Sequence, residues 1–207
     1  MNVGYPTLGT AAIPGDTEGL DAVVQRLRAA RTDVACVQDR VAVNGLHDWT
    51  GQAADRFRSS LNRLPGELGR AAGAFEQAAA SVSAFAGELV GFQDRAAHYA
   101  RRLGEHEEDA EAARRRHDEA QSELDAARRE QSNATDPVSL KAATDAVEVR
   151  LGAWRQALST LEEHRSEITS LRQQARVNRE QYERSVRTCC RALEETQETV
   201  GNVAFPG

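Results

Sequence analysis

This sequence is short of aromatic residues, proline, lysine and cysteine, and each shortage removes a class of protein. Aromatics make up 5% of its 207 residues, too few to fill the core of a globular enzyme of this size. Four of the five prolines (Pro6, Pro14, Pro137 and Pro206) lie in the tails or at a turn, and only Pro65 interrupts a periodic run. Because an interior proline breaks a helix, that distribution leaves room for a few very long ones. No stretch of eighteen apolar residues occurs, so no transmembrane segment is expected. The opening MNVGYPTLGTAAIPGD has neither a basic n-region nor an apolar h-region, which excludes a Sec signal. Cys36, Cys189 and Cys190 are an odd number without paired spacing, which argues against a disulfide framework or a zinc site built on them. Lys141 is the only lysine, and the 26 basic residues are interleaved with 32 acidic ones for a net charge of −6. Nucleic acid binding needs a concentrated basic surface, so no nucleic acid partner is expected.

Catalytic patterns are missing too. There is no Gly-x-Ser-x-Gly elbow, no phosphate-cradling glycine loop and no dinucleotide fingerprint. The carboxylates from Glu105 to Glu111 form a charge run of the kind found on solvated helix faces. The five histidines include no His-Glu-x-x-His and no Glu-x-x-His pair. Turn position places His106 opposite His164, but no ligand quartet is foreseen there. The expectation is therefore no enzyme, no cofactor and no metal.

What the chain does have is alanine, the best helix former, and helical periodicity. Residues 1–16 read as an extended arm, after which Asp16 or Thr17 offers an N-cap. Leu20, Val23, Val24, Leu27, Val34, Val37 and Val41 form one stripe on a helix to about residue 43. A second helix begins after Trp49-Thr50-Gly51 with the stripe Ala54, Phe57, Leu61, Leu64, Leu68, Ala72 and Phe75, and it runs to about Arg129. Pro65-Gly66 should kink or briefly break it. Asp136-Pro137 signals the start of a third helix. There one heptad series is Val147, Trp154, Leu161, Ile168, Ala175, Tyr182 and Cys189. A second contains Leu151, Leu158, Val186, Leu193 and Val200, with Arg165, Arg172 and Arg179 predicting a solvated gap.

The fold expected is all-α: an antiparallel helical hairpin over 17–100 with a Trp-x-Gly turn, extended by an antiparallel coiled-coil hairpin over 101–200. The second turn falls near 132–137, and 201–207 form a tail. Counting from tight turns pairs Val41 with Ala54, Val34 with Leu61, Leu27 with Leu68 and Leu20 with Phe75, and it brings Leu161 to Ala110 and Ile168 to Leu103. The pairing seam is thus Leu20, Leu27, Val34, Val41, Phe57, Leu61, Leu64, Leu68 and Phe75.

A tryptophan at an interhelical turn can cover the hairpin end, and Gly51 permits close approach or a positive φ. The run His47-Asp48-Trp49-Thr50-Gly51-Gln52-Ala53-Ala54-Asp55-Arg56-Phe57 resembles the turn of the ESAT-6-like (WXG100) helical hairpins. Pro14-Gly15-Asp16, the first helix, the turn and the long second helix resemble more closely the type VII secretion signal domain at the N-termini of actinobacterial polymorphic toxins. The resemblance covers about residues 12–100. It implies a secreted protein handled by type VII (ESX-like) machinery without a Sec signal, pairing with itself or with another WXG100-like hairpin, with Trp49 and Gly51 as the motif residues. The Tyr-x-x-x-Asp/Glu signal common in that family is missing: Leu103 follows Tyr99 by four, Val186 follows Tyr182 and Gly9 follows Tyr5. The competing reading is a cytoplasmic coiled-coil scaffold or chaperone-like partner.

Overall fold

A computed structural model describes residues 12–43 and 50–204. Three helices account for nearly all of them: α1 (Thr17–Val43), α2 (Gln52–Asn133) and α3 (Pro137–Ala204). Among the described residues there is no strand, and no helix is long and apolar enough to cross a membrane.

Local chemistry sets the helix starts. Asp16 caps α1, its carboxylate accepting from the amides of Glu18 and Gly19 at 3.1 Å each, while its carbonyl accepts from Leu20. Asp136 does the same for α3, taking the amides of Val138 and Ser139 at 3.0 Å and the Ser139 hydroxyl. Pro137 occupies the first helical position, where a missing N–H costs nothing. The interruption expected at Pro65-Gly66 does not occur, since α2 continues through it. One ladder hydrogen bond is lost there, and the helix runs on through the proline.

The described residues group into two compact units. One is built around Arg95–Asn178, where α2 and α3 pair antiparallel. Its register is marked by Arg95 Nε to Asn178 Oδ1 at 2.8 Å, Arg172 to Glu107 at 3.0 Å, Arg150 to Glu123 at 2.8 Å and Gln131 to Thr144 at 3.0 Å. Ala110 and Leu161, a pair that the count from the second turn brings together, line one depression. The first heptad series holds, with Leu161 and Ala175 buried and Ile168 half-buried. The second does not leave a gap at the arginines. Arg165 and Arg172 are exposed, and the seam passes one residue earlier, through half-buried His164 and buried Leu171 and Asn178. A straight helix drifts against a strict seven-residue repeat, so spacing of four after the first-series residue gives way to spacing of three. Trp154 lies beside His117, ring centroids 5.8 Å apart, and its indole N–H is buried without a hydrogen-bond partner.

The other unit takes Ile13–Asp94 together with α3 from Arg179 onward. Here α1 packs on both other helices: Val24, Ala79, Val82 and Cys189 are buried together, flanked by Leu20, Val23, Leu27, Phe85 and Leu193. The α1–α2 register differs from the count made from a tight turn. Arg31 Nε meets Glu76 at 2.8 Å, and a methyl on Gly69 would lie 3.3 Å from Gln38 Nε2. Those two pairs displace α1 by about three helical turns from the predicted alignment. The count fails because it assumes pairing from the turn onward, whereas α1 seats on Ala79 and Val82 further along α2.

The carboxyl of Asp136 is held below its ordinary value of 3.8, chiefly by the Ser139 hydroxyl and then by the Ser139 amide. A depressed folded value means that this cap supports α3 fully at pH above the ordinary carboxylate range. The support is lost as pH falls through the lowered value. Carboxyl titration by NMR should show a midpoint under 3.8 for Asp136, moving back up in Ser139→Ala. In Asp136→Ala the start of α3 should fray already at neutral pH, whereas Asp136→Asn should keep the cap and lose only this acid dependence.

Candidate functional site

The motif residues and the seam inferred from sequence fall in the three-helix unit, except Trp49, which lies outside the described residues. Gly51 immediately precedes α2, and its carbonyl accepts from Asp55 at 3.1 Å, closing the first turn. Its φ is +106°, and among the described residues, its chain neighbours aside, none comes within 4 Å of where a Cβ would stand. Of the two uses foreseen for this glycine, the described residues show the positive φ.

Leu20, Leu27, Val34, Val41, Leu61, Leu64, Leu68 and Phe75 are half-buried, and Phe57 is 43% exposed. The fully covered positions of α2 are their neighbours Ala54, Ala71, Ala74, Ala78, Ala79 and Val82. Small side chains thus occupy the centre of the contact, with larger ones along its flanks. Phe57, Leu61 and Leu64 share an open groove of about 390 Å³ with Arg63, Glu67 and Val203 of α3. This is the stretch of α2 that α1 would cover if the two helices paired from the turn.

The residues that secure the segment before α1 were not legible in the sequence. Ile13 is buried, and Gln93 Nε2 donates to the carbonyls of Ile13 at 3.3 Å and Gly15 at 3.1 Å. The Tyr182 hydroxyl donates to the Pro14 carbonyl at 3.0 Å, and its ring sits 6.2 Å from Phe85 and 6.0 Å from Phe92. Arg179 lies over the Tyr182 ring at 5.7 Å. Gly15 has φ +143°, and a Cβ there would come within 2.6 Å of Leu89. The heptad placed Tyr182 on the seam, but no local signal names a backbone carbonyl 168 residues away as its partner.

In the two-helix unit, His106 and His164 meet as their positions in the sequence predict, Nδ1 to Nδ1 at 3.2 Å. Cys189 is buried, and burial raises its thiol above the usual value of 9.0, with the neighbouring Cys190 adding to the shift. A buried, protonated thiol is a packing group and a poor nucleophile.

The two positive-φ glycines separate backbone from space. Gly51→Ala should cost about 1–3 kcal/mol through φ alone, measured by denaturant unfolding, with Asn tolerated better than Ala. Gly15→Ala adds the clash with Leu89 and should release the preceding segment, seen as faster proteolysis near Ile13.

A family model described as "Putative T7SS secretion signal domain" matches residues 9–192. No curated protein and no solved structure matches the chain.

Proposed function

Because the chain belongs to the T7SS secretion signal domain family, we propose that it is a type VII (ESX-like) secretion substrate, or the targeting domain of one, acting without catalysis by pairing its helices with a second copy or another WXG100-like hairpin. The observation that carries this reading is the family match, which spans both units and includes Trp49-Thr50-Gly51. Two features agree with it. Gly51 has the positive φ that a Trp-x-Gly turn reserves for glycine. The open groove beside Leu61 and Leu64 offers apolar surface of the kind on which an amphipathic helix docks. In this reading, residues 17–100 form the recognised hairpin and 101–200 its coiled-coil extension. Export follows the type VII route without a Sec signal, and the partner of the pair supplies the tyrosine–acid signal that Tyr99 and Tyr182 do not complete.

The test is export from a type VII-competent host, with lysate levels measured in parallel. Wild type should accumulate in the medium, and Trp49→Ala and Gly51→Ala should remain in the cells at undiminished total amount. If wild type and Trp49→Ala appear equally in the medium, or are equally absent from it, the reading fails and a cytoplasmic scaffold takes its place.

A further inference from the structure

We propose that His106, Asp109 and His164 form a binding site for a transition-metal dication of the zinc class, bridging α2 and α3 in the two-helix unit. His106 and Asp109 are three residues apart on α2 and project to the same side, and His164 faces them from α3. One ligand atom from each residue lies within 4.8 Å of the other two. This grouping is independent of the turn and groove that support the secretion reading.

The geometry is close to that of a bound ion. Tetrahedral zinc at about 2.0–2.1 Å from each nitrogen places two ligating nitrogens roughly 3.3 Å apart. The Nδ1 atoms of His106 and His164 are 3.2 Å apart. The exposed Asp109 supplies a carboxylate oxygen within 4.8 Å of both imidazole ligand atoms. The two imidazoles are half-buried, which restricts their rings, while the exposed side toward Asp109 leaves a fourth position for water. Two imidazole nitrogens and one carboxylate oxygen favour zinc, cobalt, nickel or copper over magnesium and calcium, which prefer oxygen ligands.

Proton positions give the site a built-in competitor. Arg102 lies 3.0 Å from His106 Nε2, and arginine only donates, so that nitrogen accepts. The Nδ1 of His106 then carries the ring proton and donates it to His164 Nδ1. A metal on His106 Nδ1 moves this proton to Nε2, where Arg102 can no longer donate. Arg102 must turn away, toward Glu105, whose carboxylate is 3.8 Å from its Nε. Binding therefore exchanges the Arg102–His106 and His106–His164 contacts for bonds to the metal.

Cys36 and Cys190 are exposed thiols that also bind zinc, so the test uses the tag-free full chain carrying Cys36→Ser and Cys190→Ser. Titration with Co²⁺ should give the intense visible absorption of a tetrahedral site at one equivalent, and calorimetry with Zn²⁺ should show the same stoichiometry. Zn²⁺ should also raise the melting temperature in a concentration-dependent manner. His164→Gln and Asp109→Asn should each weaken Zn²⁺ binding more than about tenfold, and Arg102→Gln should strengthen it. Asp109 is exposed, so its variant tests the site even if His164→Gln disturbs the seam. Absence of saturable binding, or binding that either ligand variant leaves unchanged, overturns the proposal.

Discussion

The close approach that alanine permits is the constraint on which the helix packing rests. In the three-helix unit the covered face of α2 is Ala71, Ala74, Ala78, Ala79, Val82 and Ala86 before it reaches Leu89 and Phe92. Helix axes separated by methyl groups can come nearer than axes held apart by leucines. Alanine also favours the helical conformation at little entropic cost. Each alanine removes little apolar area from water, however, so the few large buried side chains count heavily. Val24, Val82 and Leu89 are such residues, and deleting atoms there leaves cavities that neighbouring methyls cannot fill.

An alanine seam poses a second problem, because one methyl resembles the next and the helices could slide. Polar groups in the seam resolve it. Thr196 is buried, and its hydroxyl oxygen lies 3.1 Å from the Ala74 carbonyl and 2.8 Å from the Ala192 carbonyl of its own helix. Asn178 is buried and accepts from Arg95, and Ser185 donates to Glu88. A slip of one heptad would set alanine against alanine with little loss, yet it would break these pairs. Leaving a buried polar group unsatisfied costs about 1–3 kcal/mol, so the polar contacts specify the register more sharply than the apolar ones.

This division explains what could be read from the sequence. Helix identities and starts were legible because their causes are local: Asp16 precedes α1, Asp136-Pro137 opens α3, and heptads persist through Leu161, Ala175 and Cys189. The meeting of His106 with His164 was legible because a short turn fixes the count along two continuous helices. Asp109 was not singled out, because a carboxylate inside a run of carboxylates carries no individual signal. The path of the seam through Leu171 and Asn178 was misread, since a three-residue and a four-residue step are equally helical and Arg172 lies next to Leu171. The α1 register was hidden for a different reason. It depends on which of several similar alanines α1 selects, and no local pattern distinguishes them.

The displaced register and the open groove are a single structural fact. Extending the pairs Arg31–Glu76 and Gln38–Gly69 places the end of α1 level with about residue 64. The first turns of α2 therefore continue past the last residue of α1. Had the helices paired from the turn, Val34 and Val41 would have covered Leu61 and Ala54. Instead Phe57, Leu61 and Leu64 border a groove to which α3 contributes Val203. Gly51 fits this arrangement: its positive φ sets the direction in which the chain enters α2. The turn glycine thus acts through the backbone, and the apolar surface suited to a partner lies on the first turns of the helix that it starts.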